Sequence, residues 1–246
     1  MKIIMVFAMC VCALAQSGLT RPRLGKMLDA NGAVRTVYGI AASVTLGDAE
    51  TTGVLSLACS NTVCLAKTEN AIVSAGGSVA APEGPALFAF DGDAALVWFP
   101  QSRQLAEWQG GVLTCSGVDT SVDAARTSAC ATSRDIEGEV LSIGVSAGAV
   151  RFAVRRRSGV WIVNQDGGIV DSLPRSTVAV MLIPGGVVYA TESEIVIRNV
   201  QFPLAGVTAF SQMSGSSLEV RAGAVNYSLR IDEGREALFQ LPGMPQ

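Results

Sequence analysis

From residue 25 onward, apolar runs of five to eight residues rich in Val, Ile, Leu and Phe recur between clusters of Gly, Pro, Asn, Asp and Ser. Runs of that length bounded by turn formers predict many short antiparallel strands, and helical periodicity is nearly absent. The first candidates are 26–29, 34–38, 54–58, 63–67, 71–74, 86–90, 94–99, 104–108 and 112–115. Further along come 140–146, 149–156, 159–164, 168–173, 177–183, 187–191, 194–198, 207–211, 218–222, 225–231 and 237–241. Asp91-Gly92-Asp93 and Asp166-Gly167-Gly168 supply residues that tolerate positive φ, as tight hairpins demand. Gly148, Pro184-Gly185-Gly186 and Asp232-Glu233-Gly234 mark further reversals.

A longer period overlies the short one. Residues 140–174 divide into four strands, 177–204 repeat the plan more tersely, and 207–242 repeat it again, with 53–82 and 86–110 as earlier units. Five units, with the N-terminal pair around Leu28 and Val34, predict an all-β fold: a β-propeller of five or six four-stranded blades. In such a ring each small sheet buries both faces against its neighbours. That explains why 160–163 and 178–183 are continuously apolar rather than alternating. The chain thus resembles the β-propeller superfamily, specifically the exported bacterial propellers with a loosely patterned blade. The resemblance is architectural and spans most of residues 25–242. Asn164-Gln165-Asp166-Gly167-Gly168 matches a blade box only in its central turn, so no functional residue is carried over. The competing folds are tandem β-sandwiches and a β-solenoid, although so many strands exceed one seven- to nine-stranded sandwich.

Residues 1–15 read as an export signal. Lys2 gives a positive start, 3–14 form an apolar stretch, and Ala13-Leu14-Ala15 offers the small-x-small pattern cleaved before Gln16. Twelve helical residues rise about 18 Å, short of a hydrocarbon layer of about 30 Å. Neither Cys10 nor Cys12 follows the triplet that lipid attachment needs. Residues 16–246 are then a single propeller domain, with no membrane insertion after signal removal and a periplasmic or extracellular location. Four cysteines remain, and an even number in an exported chain reads as disulfides. Neighbour pairing is expected, Cys59 with Cys64 across a hairpin and Cys115 with Cys130 around a small, polar loop.

Composition removes much chemistry. With 49% hydrophobic and 16% charged residues the chain can bury a core. With no histidine there is no imidazole base, no His-ligated zinc and no Ser-His-Asp arrangement. The cysteine spacings match no usual zinc site, and no cofactor is expected. A net charge of −3, one unit lower without Lys2, gives no field for nucleic acid.

The sharpest local feature is the run from Val150 to Arg157. As a strand it places Arg151, Ala153, Arg155 and Arg157 on one side, and three guanidiniums there form a candidate anion-binding face. The plainer reading is an outer strand pairing with Glu137, Glu139 or Asp171. Asp91 with Asp93, and Glu137 with Glu139, are the candidate acid–base pairs, although turn formation explains Asp91 and Asp93. Trp98, Trp108 and Trp161 are candidates for a sugar-stacking platform, although Trp161 lies inside the apolar run 159–163 and reads as core, and Trp108, before Gln109-Gly110-Gly111, is the one expected to reach a surface. Two functions follow. One is an exported non-catalytic binding or scaffold protein whose loops hold a partner protein, a glycan or a small molecule; the other is a carboxylate-dependent glycoside hydrolase or lyase. A place within a larger envelope assembly is a third possibility, which exposed apolar strand edges would signal.

Overall fold

The computed structural model describes residues 21–40, 43–115, 136–146 and 148–243. Within them, 23 strands form six antiparallel sheets in which each strand pairs with its chain neighbour. Blade 1 holds β1 (Arg23–Leu28), β2 (Val34–Ile40) and β3 (Ser43–Thr51). Blade 2 holds β4 (Ser56–Cys59), β5 (Cys64–Lys67), β6 (Ala71–Ser74) and β7 (Gly77–Ala80). Blade 3 holds β8 (Leu87–Asp91), β9 (Ala94–Phe99), β10 (Gln104–Gln109) and β11 (Val112–Cys115). Blade 4 holds β12 (Glu139–Ser146), β13 (Ala149–Arg156), β14 (Gly159–Asn164) and β15 (Ile169–Ser172). Blade 5 holds β16 (Ala179–Ile183), β17 (Gly186–Ala190), β18 (Glu194–Ile197) and β19 (Val200–Pro203). Blade 6 holds β20 (Val207–Ser214), β21 (Ser217–Ala222), β22 (Val225–Arg230) and β23 (Ala237–Gln240).

Successive sheets meet along their first strands: β8 touches β12, β12 touches β16 and β16 touches β20, while β1 and β4 lie against each other and both against β20. The outcome is a six-bladed β-propeller with no helix among the described residues. Tandem sandwiches and a solenoid are thereby excluded, and the blade number is six. Blade 1 has three strands rather than the expected four.

Burial on both faces is what fixes the ring. On β13, Phe152, Ala153 and Val154 are consecutive and fully buried, which an alternating half-exposed strand never is. Phe152 and Val154 pack with Ala89, Trp98 and Leu105 of blade 3. Ala153 points the other way, toward Val180 of blade 5. Trp98 meets Phe152 edge to face with ring centroids 5.6 Å apart. Trp108 is 5% exposed and joins the core between blades 2 and 3. The expectation that it reaches a surface is corrected: on β10 it faces the neighbouring sheet, and an indole there covers more apolar area than any smaller side chain would.

The ring closes without a shared strand, since β20 to β23 come from one contiguous C-terminal segment. Side-chain packing does the closing. Met27, Val37, Met213 and Leu241 form one cluster across blades 1 and 6, and Leu28, Val34, Val54, Leu57 and Cys59 form another across blades 1 and 2. At the tightest point a Cβ on Gly25 would lie 2.3 Å from the Met213 carbonyl oxygen, and its φ of 152° is one that other residues rarely adopt. Arg221 also donates to the Leu28 carbonyl at 3.4 Å.

Blade 1 depends on a buried carboxylate. Asp29 accepts hydrogen bonds from the Asn31 and Ala33 amides, both at 2.9 Å, and from Arg35 Nε at 2.8 Å, while Arg35 Nη1 reaches Gly47 O on β3. Burial by itself would raise the Asp29 pKa. The Arg35 hydrogen bond, the two amides and the charge of Arg35 together outweigh it and hold the carboxyl below its ordinary value.

Three strands escape the sequence pattern: 43–51, 77–80 and 200–203, which become β3, β7 and β19. All three are the outer strands of their sheets and bury little. Residues 1–15, the expected signal, lie outside the described residues.

Two outcomes test the seam. Gly25→Ala should destabilise the protein by about 2–3 kcal/mol, read as a lowered denaturant midpoint with an unchanged slope; an unmoved midpoint would remove the close approach from the account. Because the Asp29 pKa is lower folded than unfolded, its contribution is complete above about pH 4 and is lost as pH falls through the folded value. The stability gap between wild type and Asp29→Asn should therefore narrow below pH 4 in acid titrations followed by circular dichroism, and a constant gap would contradict it.

Candidate functional site

Three parts of the ring bear on function: the central channel, its mouth, and a basic hollow at the opposite end. The channel has a volume of about 230 Å³ and is walled mainly by the first strands of blades 2 to 6, with Leu57, Phe88, Met181 and Phe210 among its apolar groups. Among the described residues no carboxylate lines it. Its hydroxyls are already engaged. Ser56 Oγ accepts from the Ala86 amide and Ser142 Oγ from the Leu182 amide, each at 3.0 Å, so both tie one blade to the next. Ser211 Oγ donates to Glu219 Oε2 at 2.7 Å, and Arg221 Nε donates to Glu219 Oε1 at 3.2 Å. Glu219 is fully buried behind this pair, which leaves Arg221 as the charge on the channel wall.

At the mouth gather the first hairpin turns of blades 2 to 6, since every first strand runs the same way. Asn61, Asp93, Val145, Pro184 and Gly215 rim a cavity of about 340 Å³, which shares Ser60, Asn61 and Thr62 with a second of about 540 Å³ at the seam. The turn of blade 2 ties the rim together. Asn61 Oδ1 accepts from the Gly215 amide of blade 6 at 3.1 Å, and Thr62 Oγ1 donates to Asp93 Oδ1 of blade 3 at 2.7 Å. A Cβ on Gly215 would lie 2.4 Å from Asn61 Oδ1, so glycine permits the approach. Beneath that turn Cys59 and Cys64 face each other across β4 and β5 with Cα atoms 4.0 Å apart, joined by a disulfide as expected. Cys115 ends β11, and the expected pairing with Cys130 lies outside the described residues because Cys130 does.

The candidate acid–base residues do not assemble. Asp91 pairs with Ala94 across a two-residue turn, while Asp93 lies in that turn and is held by Thr62. Glu139 sits opposite Arg155 on β12, 3.8 Å from its guanidinium, and Glu137 accepts from Arg156 Nε through its backbone carbonyl at 3.1 Å.

The arginine face is partly as expected. β13 is an interior strand, bonded to both β12 and β14, so it is not the outer edge of the plainer reading. Arg151, Ala153 and Arg155 do share the side toward blade 5, but buried Ala153 sits between the two arginines, which stand about 13 Å apart along the strand. Arg151 belongs to a hollow with Asp171 and Leu182 toward the mouth. Arg155 and Arg157 line another at the far end, a cavity of about 420 Å³, together with Arg156 and Arg175. Arg175 is the residue the sequence reading missed. It lies in the turn closed by the Thr177 amide on Pro174 O at 3.0 Å, and its Cγ would sit 3.9 Å from a Cβ on Gly159. Among the described residues no carboxylate lines this hollow. Arg155 Nη2 donates to Val178 O at 2.9 Å, whereas Arg157 and Arg175 are exposed and have no hydrogen bond or ion pair among the described residues. In the same wall Thr177 is 7% exposed and its Oγ1 has no hydrogen-bond partner. A buried hydroxyl left so costs about 1–3 kcal/mol.

Lys67 is a further buried cation, sealed from solvent, with Nζ donating to Thr68 O at 2.5 Å and Glu69 O at 2.8 Å. Burial pushes its pKa below the ordinary lysine value against the opposing pull of Glu69 and Glu83. Its inaccessibility makes it a structural ammonium that closes the β5–β6 turn. On the outside, β15 exposes Ile169 and Val170, the apolar edge that an assembly role would use. Among the described residues no group of histidine, cysteine, aspartate and glutamate would hold a metal ion, and no helix is long and apolar enough to cross a membrane.

No protein-family model and no curated protein matches the chain. Solved structures do. One is a chain of the nidogen/laminin complex, 13% identical over 89% of this chain and 93% of that one, with a TM-score of 0.54. Others are the catalytically inactive virginiamycin B lyase from Staphylococcus aureus with quinupristin, at 11% identity, 92% and 86% coverage and a TM-score of 0.46, and apo AztD from Citrobacter koseri, at 10%, 89%, 71% and 0.44. At these identities the likeness shows the fold alone.

Non-reducing peptide mapping of the purified chain should return Cys59 linked to Cys64; a Cys59–Cys130 linkage would contradict the hairpin pairing. Replacing both Cys59 and Cys64 by alanine should lower the thermal midpoint and speed proteolysis within residues 60–63, since the rim contacts of Asn61 and Thr62 then rest on an unstapled turn.

Proposed function

We propose that this protein is an exported, non-catalytic binding or scaffold propeller that holds a partner protein, a glycan or a small molecule through the loops at the mouth of its channel. One observation carries the reading: among the described residues the channel has no carboxylate on its wall, and its hydroxyls at Ser56 and Ser142 are held in bonds that join blades. An acid–base pair for glycoside hydrolysis needs two carboxyls facing each other across a cleft, and among the described residues Asp93 is the one carboxylate lining the mouth cavity of about 340 Å³. The carboxylates with shifted pKa values, Asp29, Glu50 and Glu236, all move downward, although burial alone would raise each of them. A general acid needs the opposite.

The loops suit binding. Asn61–Gly215 and Thr62–Asp93 fix three turns relative to one another, so a ligand meets a surface that is already ordered. A chain of similar fold forms part of a nidogen/laminin complex, which agrees with a protein partner. The disulfide agrees with an oxidising compartment and hence with the N-terminal signal.

The test is incubation of the full oxidised chain with neutral and acidic polysaccharides, following both retention and product. Saturable retention with no new reducing ends and no unsaturated uronate is expected, and Asp93→Asn should change neither rate of product formation. Product release that Asp93→Asn abolishes would replace this reading with the hydrolase or lyase.

A further inference from the structure

We propose that the hollow between blades 4 and 5, at the end of the ring away from the mouth, binds a tetrahedral oxyanion, phosphate or sulfate, either free or as the terminal ester of a larger molecule. Three arginines from two loops meet there: Arg155 and Arg157 from the β13–β14 hairpin and Arg175 from the connection into β16, while Arg156, which also borders the hollow, turns its side chain to the other face of β13 beside Val154. Among the described residues Glu139, on Arg155, is the one carboxylate paired with these guanidiniums, so they repel one another, and an anion among them turns that repulsion into charge-assisted hydrogen bonds. Arg155 is anchored to the Val178 carbonyl, which sets the base of the hollow, while Arg157 and Arg175 keep their donors uncommitted among the described residues.

Thr177 is the independent observation. Thr177 lines this same hollow, and its Oγ1 is enclosed by protein with no hydrogen-bond partner among the described residues, although its backbone amide is satisfied in the turn that presents Arg175. A hydroxyl donor beside forked guanidiniums suits an acceptor with oxygens pointing in several directions. A tetrahedral ion has them; a planar carboxylate offers two in one plane. Glu139, the register partner of Arg155 on the same face of the sheet, lies 3.8 Å from its guanidinium, and both groups are exposed.

Calorimetric titration of the full oxidised chain at fixed ionic strength, with inorganic phosphate, inorganic sulfate, phenyl phosphate, phenyl sulfate and benzoate, tests the site. The tetrahedral ions should bind saturably and about tenfold or more tighter than benzoate. Phenyl esters binding as well as the free ions would identify a terminal ester as the ligand, and free ions alone an inorganic ion; both support the site. Arg157→Gln combined with Arg175→Gln should weaken binding about tenfold or more. Thr177→Val should weaken it and Thr177→Ser restore it, with unliganded thermal midpoints showing that each variant folds. Arg151→Gln, in the other hollow, should bind as wild type does. No saturable binding of any tetrahedral ion, equal binding of benzoate, or an unaffected double variant would overturn the site. The hollow lies opposite the mouth, so that failure would leave the proposed function standing, and the converse holds.

Discussion

A sheet with two apolar faces has no stable existence until both are covered, and in this chain the covering is done by other sheets of the same kind. Phe152, Ala153 and Val154 show the constraint at the level of one strand: three successive side chains, all buried, divided between two neighbouring blades. Each blade thereby passes the requirement to the next, and only a closed ring satisfies all six. The seam between first and last blades is where this requirement is hardest to meet. Among the described residues no strand crosses it, so apolar contact at Met27, Met213 and Leu241 substitutes for backbone hydrogen bonds. That makes the approach at Gly25 and the carboxylate at Asp29 conditions of closure rather than local details. Blade 1 has one strand fewer than the others and less area with which to hold its place.

Closure then decides where polar chemistry is found. The first strands carry apolar side chains into the channel, and the few hydroxyls among them are recruited as links between blades, as Ser56 and Ser142 are. Charge is displaced to the two ends, where hairpin turns and blade connections meet water. The ends differ in character. At the mouth the turns are cross-linked by Asn61, Thr62 and the disulfide hairpin below them, and Asp93 is neutralised in part by a hydroxyl donor. At the other end Arg155, Arg157 and Arg175 stand together, with Glu139 the one acid paired among them in the described residues.

How much of this was legible in the sequence follows from the same physics. Inner and middle strands were readable because they bury two faces and so appear as apolar runs bounded by turn residues. The outer strands 43–51, 77–80 and 200–203 were not, because an edge strand has solvent on one side and takes polar residues such as Asp48, Ser78 and Gln201. Missing β3 is why blade 1 looked like a pair. The disulfide hairpin was legible from spacing alone, since two cysteines flanking a four-residue turn are obliged to face each other. Trp108 was misread for the converse reason: the glycines that follow it suggest a surface, yet its own position on β10 faces a neighbour. No one-dimensional pattern reports which face meets which blade.

The arginine run shows the limit most clearly. Alternation placed Arg151 and Arg155 on the same side of β13, correctly, but sharing a side is not sharing a site. The interval between them is occupied by Ala153 packed toward Val180, so a buried contact of the ring itself divides the face into two hollows. What completes the far hollow comes from the next blade, through a turn at 174–177 that carries one arginine and one threonine into it. The chain separates Arg155 from Arg175 by a hairpin and an edge strand, and nothing in the residues between announces that they meet. Blade-to-blade packing, the same interaction that closes the ring, brings them together, and any charged cluster of this kind in a propeller is therefore a property of two blades and is visible only once their mutual burial is known.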